Sequence, residues 1–119
     1  MQSFYEGYLE CMAFTDVTCD APDMEAADGF SPDLLASAKE DCDKFEIDNA
    51  DALTEYYEAR PDKHEGYAGH DFWLTRNGHG TGFWDRGLPG DLGDRLTAAT
   101  KLFRECELYV GDDNMIYGM

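Results

Sequence analysis

Three histidines, His64, His70 and His79, and four cysteines, Cys11, Cys19, Cys42 and Cys106, are the side chains of this sequence most able to hold a transition metal. His70 and His79 share the stretch HDFWLTRNGHGTGFWDRG with Trp73 and Trp84. A small metal-dependent hydrolase using His70 and nearby acids would need these ligands to meet around one ion. Spacing argues against that. Asn77-Gly78-His79-Gly80 has the composition of a hairpin turn, which puts His79 at the tip and His70 about 20 Å away, at roughly 3.3 Å per residue. The cysteines are scattered with no CxxC pair, so reduced thiols packed as small apolar groups are expected. Asp112-Asp113 has the chemistry of a hard-cation ligand pair, but a turn uses aspartates for its own hydrogen bonds.

Nucleophilic catalysis fares no better. No GxSxG elbow occurs, and no cysteine is placed beside a histidine. The glycines of NGHGTG are not followed by the Lys-Ser/Thr helix of a phosphate loop. Asp85 and Arg86 are read as an ion pair that orients the hairpin end. The expectation is a non-enzymatic protein with no catalytic residues, no metal and no cofactor.

The elements that would carry these residues follow from periodicity. Phe4, Tyr8 and Cys11 or Met12 recur at helical spacing near the start. Thr15 to Phe30 shows no period and holds Pro22 and Gly29, so a loop is expected, with Asp16, Asp20, Asp23, Glu25 and Asp28 mobile in it. Ser31-Pro32 is a helix start, a capping hydroxyl before a proline at the first helical position. One continuous helix is expected from there to about Tyr57. On its wheel Leu34, Leu35, Ala38, Cys42, Phe45, Ala52, Leu53 and Tyr56 face the core, while Glu40, Asp48, Asp51, Glu55 and Glu58, with Asp41 beside them, form an opposite carboxylate stripe.

Residues 70–87 then read as a hairpin in which Arg76 pairs with Thr81, Leu74 faces Phe83, Trp73 faces Trp84 and His70 lies opposite Gly87. Leu92, Leu96, Ala99 and Phe103 step as a short amphipathic helix. A second hairpin spans residues 107–117 around the turn Gly111-Asp112-Asp113-Asn114. The expected architecture is one α+β domain over residues 1–119, an antiparallel sheet of two hairpins packed with two to three helices in the order α-α-β-β-α-β-β. The chain has no basic, apolar leader and no run of eighteen apolar residues, so a cytoplasmic location is expected.

Charge carries the functional expectation. The 119 residues hold 26 acids and 9 Lys or Arg, a net charge of −17. Residues 1–62 contribute 17 acids and 3 bases, residues 63–119 only 9 acids and 6 bases. Such a field repels nucleic acid and anionic membrane and attracts basic surfaces. Residues 33–58 place nine acids against two lysines, along about 38 Å of helix at 1.5 Å per residue. That is one acid per roughly 4 Å, near the ~3.4 Å phosphate spacing of a DNA strand.

The segments GHDFWLTRNGHGTGFWDRG, GDRLTAATK and CELYVGDDNMIYG resemble a family of small acidic proteins encoded by bacteriophages, a family with no assigned activity. The resemblance is close over about residues 69–118 and general over 1–58. It implies a phage or prophage setting in a bacterial host cell, where small acidic proteins are often inhibitors of CRISPR effectors, restriction enzymes or repair enzymes. The expected function is therefore a DNA-mimicking inhibitor that blocks the basic groove of a host nucleic-acid-binding protein, without binding nucleic acid or membrane itself. Its expected contact residues are Glu40, Asp41, Asp48, Asp51, Glu55 and Glu58, with Trp73 and Trp84. The alternative is an accessory module that docks on a protein through the Trp73/Trp84 hairpin.

Overall fold

Ser3 opens the first helix with a reciprocal cap. Its hydroxyl accepts from the Glu6 N–H, and the Glu6 carboxylate accepts from the Ser3 N–H. The helix that follows, α1 (Phe4–Met12), buries Phe4, Gly7, Tyr8, Cys11 and Met12. In this computed structural model, residues 2–19, 27 and 29–118 are described. The thiol of Cys19 and the loop acids Asp20, Asp23, Glu25 and Asp28 lie outside them.

The chain does not loosen after Met12. It widens into a π-helical stretch, Ala13–Cys19, in place of the first part of the expected loop. Ser31 caps α2 (Pro32–Asp48) by accepting from the Leu34 N–H, with Pro32 in the first turn as expected. The single long helix is corrected to two. Asn49 leaves helical dihedrals, with φ −123° and ψ 27°, and α3 (Ala50–Ala59) begins after it. The cause is local: both the backbone N–H and the side-chain amide of Asn49 donate to the Phe45 carbonyl, each at 3.0 Å, so the side chain competes for a helical acceptor. The core face survives the break, with Leu34, Ala38, Cys42, Phe45, Leu53 and Tyr56 all buried.

The first expected hairpin is absent, which overturns the α+β class. Residues Glu65–Arg76 form α4, and after a turn Phe83–Asp85 make a single 3-10 turn. Helical spacing wins because Ala68, Phe72 and Thr75 must share one face, and all three are fully buried with Trp73. The glycines that suggested a strand and turn serve two other purposes. Gly69 lets α4 lie directly against α1, where a Cβ would overlap the Phe4 carbonyl oxygen. Gly78 and Gly80, with φ of +66° and +79°, do turn the chain around His79, but the turn closes a helix rather than a hairpin.

The last part of the chain follows expectation in order, although the helix stops before Phe103. Leu92–Thr100 is α5, burying Leu92, Leu96 and Thr100. Leu108–Val110 (β1) and Ile116–Gly118 (β2) pair antiparallel with Val110 opposite Ile116. The fold is thus five α-helices with one two-stranded ribbon among the described residues. The ribbon is stitched to the start of α2: the Ser31 N–H donates to the Ile116 carbonyl and the Ile116 N–H to the Gly29 carbonyl, both at 2.8 Å.

The centre of the fold is aromatic. Phe45 stacks on Phe72 with ring centroids 4.3 Å apart, and Phe4, Phe83 and Phe103 surround that pair. Each fully buried ring contributes on the order of 1.5–3 kcal/mol by leaving water. Among the described residues no helix is long and apolar enough to cross a membrane.

Candidate functional site

Asn49 divides the expected carboxylate stripe between two helices, so its acids do not form one straight row. Glu40 on α2 and Asp51 and Glu58 on α3 are exposed and form no ion pair among the described residues. The other three are partly neutralised. Asp41 is one quarter exposed and meets Arg76 at 2.9 Å. Asp48 pairs with Lys44 at 2.8 Å, four residues before it on α2. Glu55 pairs with Arg95 of α5, also at 2.8 Å.

The two tryptophans separate completely. Trp73 is fully buried, edge-on to Tyr8, and its Nε1 donates at 3.0 Å to both Thr15 Oγ1 and Asp16 Oδ1. Of the two, only Trp84, 41% exposed, presents aromatic surface of the kind the docking alternative requires. The expected cross-strand pairing of Trp73 with Trp84 does not occur, because Trp73 lies on a helix.

The histidines are also relocated. His70 lies on α4, with Nε2 3.3 Å from Glu10 Oε1 on α1. His79 is no bare loop tip, since its Nε2 stands 2.7 Å from Asp16 Oδ1. His64 caps α4, its Nδ1 accepting from the Gly66 N–H. Among the described residues no three His, Cys, Asp or Glu side chains gather where they could hold a metal ion. Cys11 and Cys42 are buried and Cys106 is half-buried. Burial pushes the Cys11 thiol up to about 12 and raises the other two as well, so all three stay protonated at neutral pH.

A cluster that the sequence reading passed over sits in the middle of its most conspicuous motif. Asp71 is 1% exposed. One carboxylate oxygen accepts from Arg86 Nε and Nη2 at 2.9 and 2.7 Å, and the other accepts from Tyr56 Oη at 2.8 Å. Arg60 Nη1 donates to the same Tyr56 oxygen at 2.7 Å and reaches Asp71 at 3.4 Å. Burial, followed by the neighbouring carboxylate, holds the Tyr56 phenol well above its ordinary value. The hydrogen bond from Arg86 to Asp71 raises the guanidinium further still. This cluster joins the end of α3, the middle of α4 and the turn after the 3-10 segment. The signal was available: on a helix, Asp71 shares a face with Ala68 and Thr75, and a charge on an apolar face needs a partner. The expected Asp85–Arg86 pair is only a long contact of 3.8 Å, because Arg86 turns inward.

Chemically, the surface offers carboxylates to a cationic partner, whereas the buried Asp71 is saturated with donors. Comparisons with family models, with curated proteins and with solved structures found no match.

Proposed function

We propose that this protein is a non-enzymatic inhibitor which presents its carboxylates to the basic, nucleic-acid-binding groove of a host defence or DNA-processing protein. The observation that carries the reading is where the cations go. Of the nine Lys and Arg side chains, Lys39, Lys44, Arg60, Arg76, Arg86 and Arg95 are each committed to a carboxylate of this same chain. Arg60 and Arg86 spend their charge on one buried aspartate, and Lys101 donates to the Thr75 carbonyl. Lys39, Lys44, Arg76 and Arg95 neutralise Asp43, Asp48, Asp41 and Glu55 on α2 and α3, but Glu40, Asp51 and Glu58 stay outward with no ion pair among the described residues, so a basic surface meets a net anionic one. The phage setting implied by the motif resemblance supplies the class of target.

The test is displacement of labelled duplex DNA from a panel of purified bacterial restriction, CRISPR and repair proteins, repeated across a salt series. Displacement should weaken steeply as salt screens the charges. Reversing the unpaired acids in Glu40→Lys/Asp51→Lys/Glu58→Lys should abolish it in a protein that still folds, since all three side chains face solvent. A folded triple variant that displaces DNA as well as the original chain defeats the proposal. So does a failure to displace DNA from any member of the panel.

A further inference from the structure

Beside the Asp71 cluster lies a recess of about 230 Å³ lined by Arg60, Tyr67, His70, Asp71, Leu74 and Arg86. Its lining reverses the sign of the molecule. Two guanidinium groups face one carboxylate, in a chain whose net charge is −17. A recess between residues 16 and 108, by contrast, keeps the overall sign, lined by Asp16, Glu105 and Glu107 with no Lys or Arg.

A guanidinium carries five N–H donors, and Asp71 and Tyr56 do not take up all of them. Arg86 uses Nε and Nη2 on Asp71 and leaves Nη1 without an acceptor among the described residues, with Asp85 Oδ1 3.8 Å away and outside hydrogen-bond reach. Arg60 uses only Nη1, so Nε and Nη2 have no acceptor among the described residues. Both side chains are largely but not wholly buried, at 21% and 27% exposure, and so remain open to a small solute. Lys63 Nζ stands 4.8 Å above the ring of Tyr67, one of the lining side chains, and brings a further positive charge beside it.

We infer that this recess binds a small oxyanion, a phosphate group held between the unspent N–H groups of Arg60 and Arg86 with Tyr67 and Leu74 as its apolar wall. Guanidinium groups suit phosphate because their planar donor pairs match its oxygens. Asp71 orients both forks and fixes their spacing before the ligand arrives. The recess is smaller than the roughly 300–1,000 Å³ of ordinary ligand pockets, so the ligand is inorganic phosphate or a small phosphate monoester. This site is independent of the carboxylate surface, which lies on other residues.

The experiment follows the arginine Nε–Hε signals of the full chain by NMR while inorganic phosphate is added in about 0.15 M NaCl, where the Debye length of about 8 Å screens the distant acids. Saturable shifts centred on Arg60 and Arg86 are expected. Arg60→Gln should weaken the binding at least tenfold, and Arg104→Gln, outside the recess, should leave it within twofold. Shifts no larger than those from chloride at equal ionic strength overturn the proposal, as do saturable shifts centred on other arginines or a folded Arg60→Gln protein that binds unchanged. Should Arg60→Gln fail to fold, the position of the shifts in the unaltered protein decides. Phenyl phosphate separates the two sources: tighter binding than inorganic phosphate assigns a monoester to the apolar wall, and equal or weaker binding assigns the free ion.

Discussion

Asp71 and Arg86, one on α4 and the other beyond the 3-10 turn, meet through two hydrogen bonds of 2.9 and 2.7 Å to a single carboxylate oxygen. A carboxylate with 1% exposure has lost its water, and these donors stand in for the hydration it gave up. Replacing one partner of a buried pair costs more than the pair is worth, because the other charge is stranded. Asp71→Asn should therefore lower stability by roughly 3 kcal/mol, read from the urea midpoint at constant m. An Asp71→Leu/Arg86→Leu double variant should recover part of that loss. If the double variant is as unstable as the sum of the two single changes, Asp71 and Arg86 do not act as a pair.

The two tryptophans should respond in opposite ways. Trp73→Ala opens a hole in the core and frees the Thr15 and Asp16 acceptors, at a cost of about 3–5 kcal/mol. Trp84→Ala removes an exposed ring and should change stability by about 0.5 kcal/mol or less. Thermal melts of both variants check this. A folded Trp84→Ala protein that loses partner binding across all salt concentrations would favour docking through the aromatic surface over the carboxylates.

Glu46 gives a pH signature. Burial first, and then Glu65 and Asp43, raise its carboxyl above the ordinary carboxylate value. A raised folded-state pKa contributes stability that is complete in acid and is lost as pH rises through that raised value. Glu46→Gln should therefore stabilise the protein at pH 7 and converge with the original chain in acid. Chemical denaturation at a series of pH values reads the difference, and a constant offset at every pH would assign the effect to packing instead.

How much of this was legible depended on whether a residue obeyed one rule or two. Ser31-Pro32, the helix from Leu92 and the ribbon around Gly111 each carried a signal with a single meaning, and each was found where the pattern put it, except that the helix ends at Thr100, short of Phe103. The segment from His70 to Gly87 carried two. Its aromatic and glycine content suits a hairpin, yet Ala68, Phe72 and Thr75 also step at helical spacing. The helix prevailed because Gly69 allows contact with α1, a tertiary gain that no local window contains. Asp71 was missed for the same reason, since a buried carboxylate is recognisable only once its face is known. The carboxylates of α2 and α3 were found individually, but their arrangement turned on Asn49, where a side-chain amide competes for one carbonyl.

The seam between α1 and α4 makes its own prediction. Gly69→Ala gains about 1 kcal/mol of helix propensity, but its methyl group would meet the Phe4 carbonyl, which belongs to a rigid helix and has no rotamer to yield. Overpacking of this kind costs about 1–3 kcal/mol, and backbone contact puts it at the upper end. A net loss of about 2 kcal/mol is expected, visible as a lower melting temperature. An unchanged or higher melting temperature would mean that the helices stand further apart.

The stitch between Ile116 and the start of α2 also bears on the order of assembly. The Asp71 cluster closes segments of 11 and 15 residues, whereas the bonds joining Ser31 and Gly29 to Ile116 span more than two thirds of the chain. Longer loops cost more entropy to close and form more slowly. The helices therefore acquire their mutual packing first, and the ribbon arrives afterwards as a latch on a body already formed.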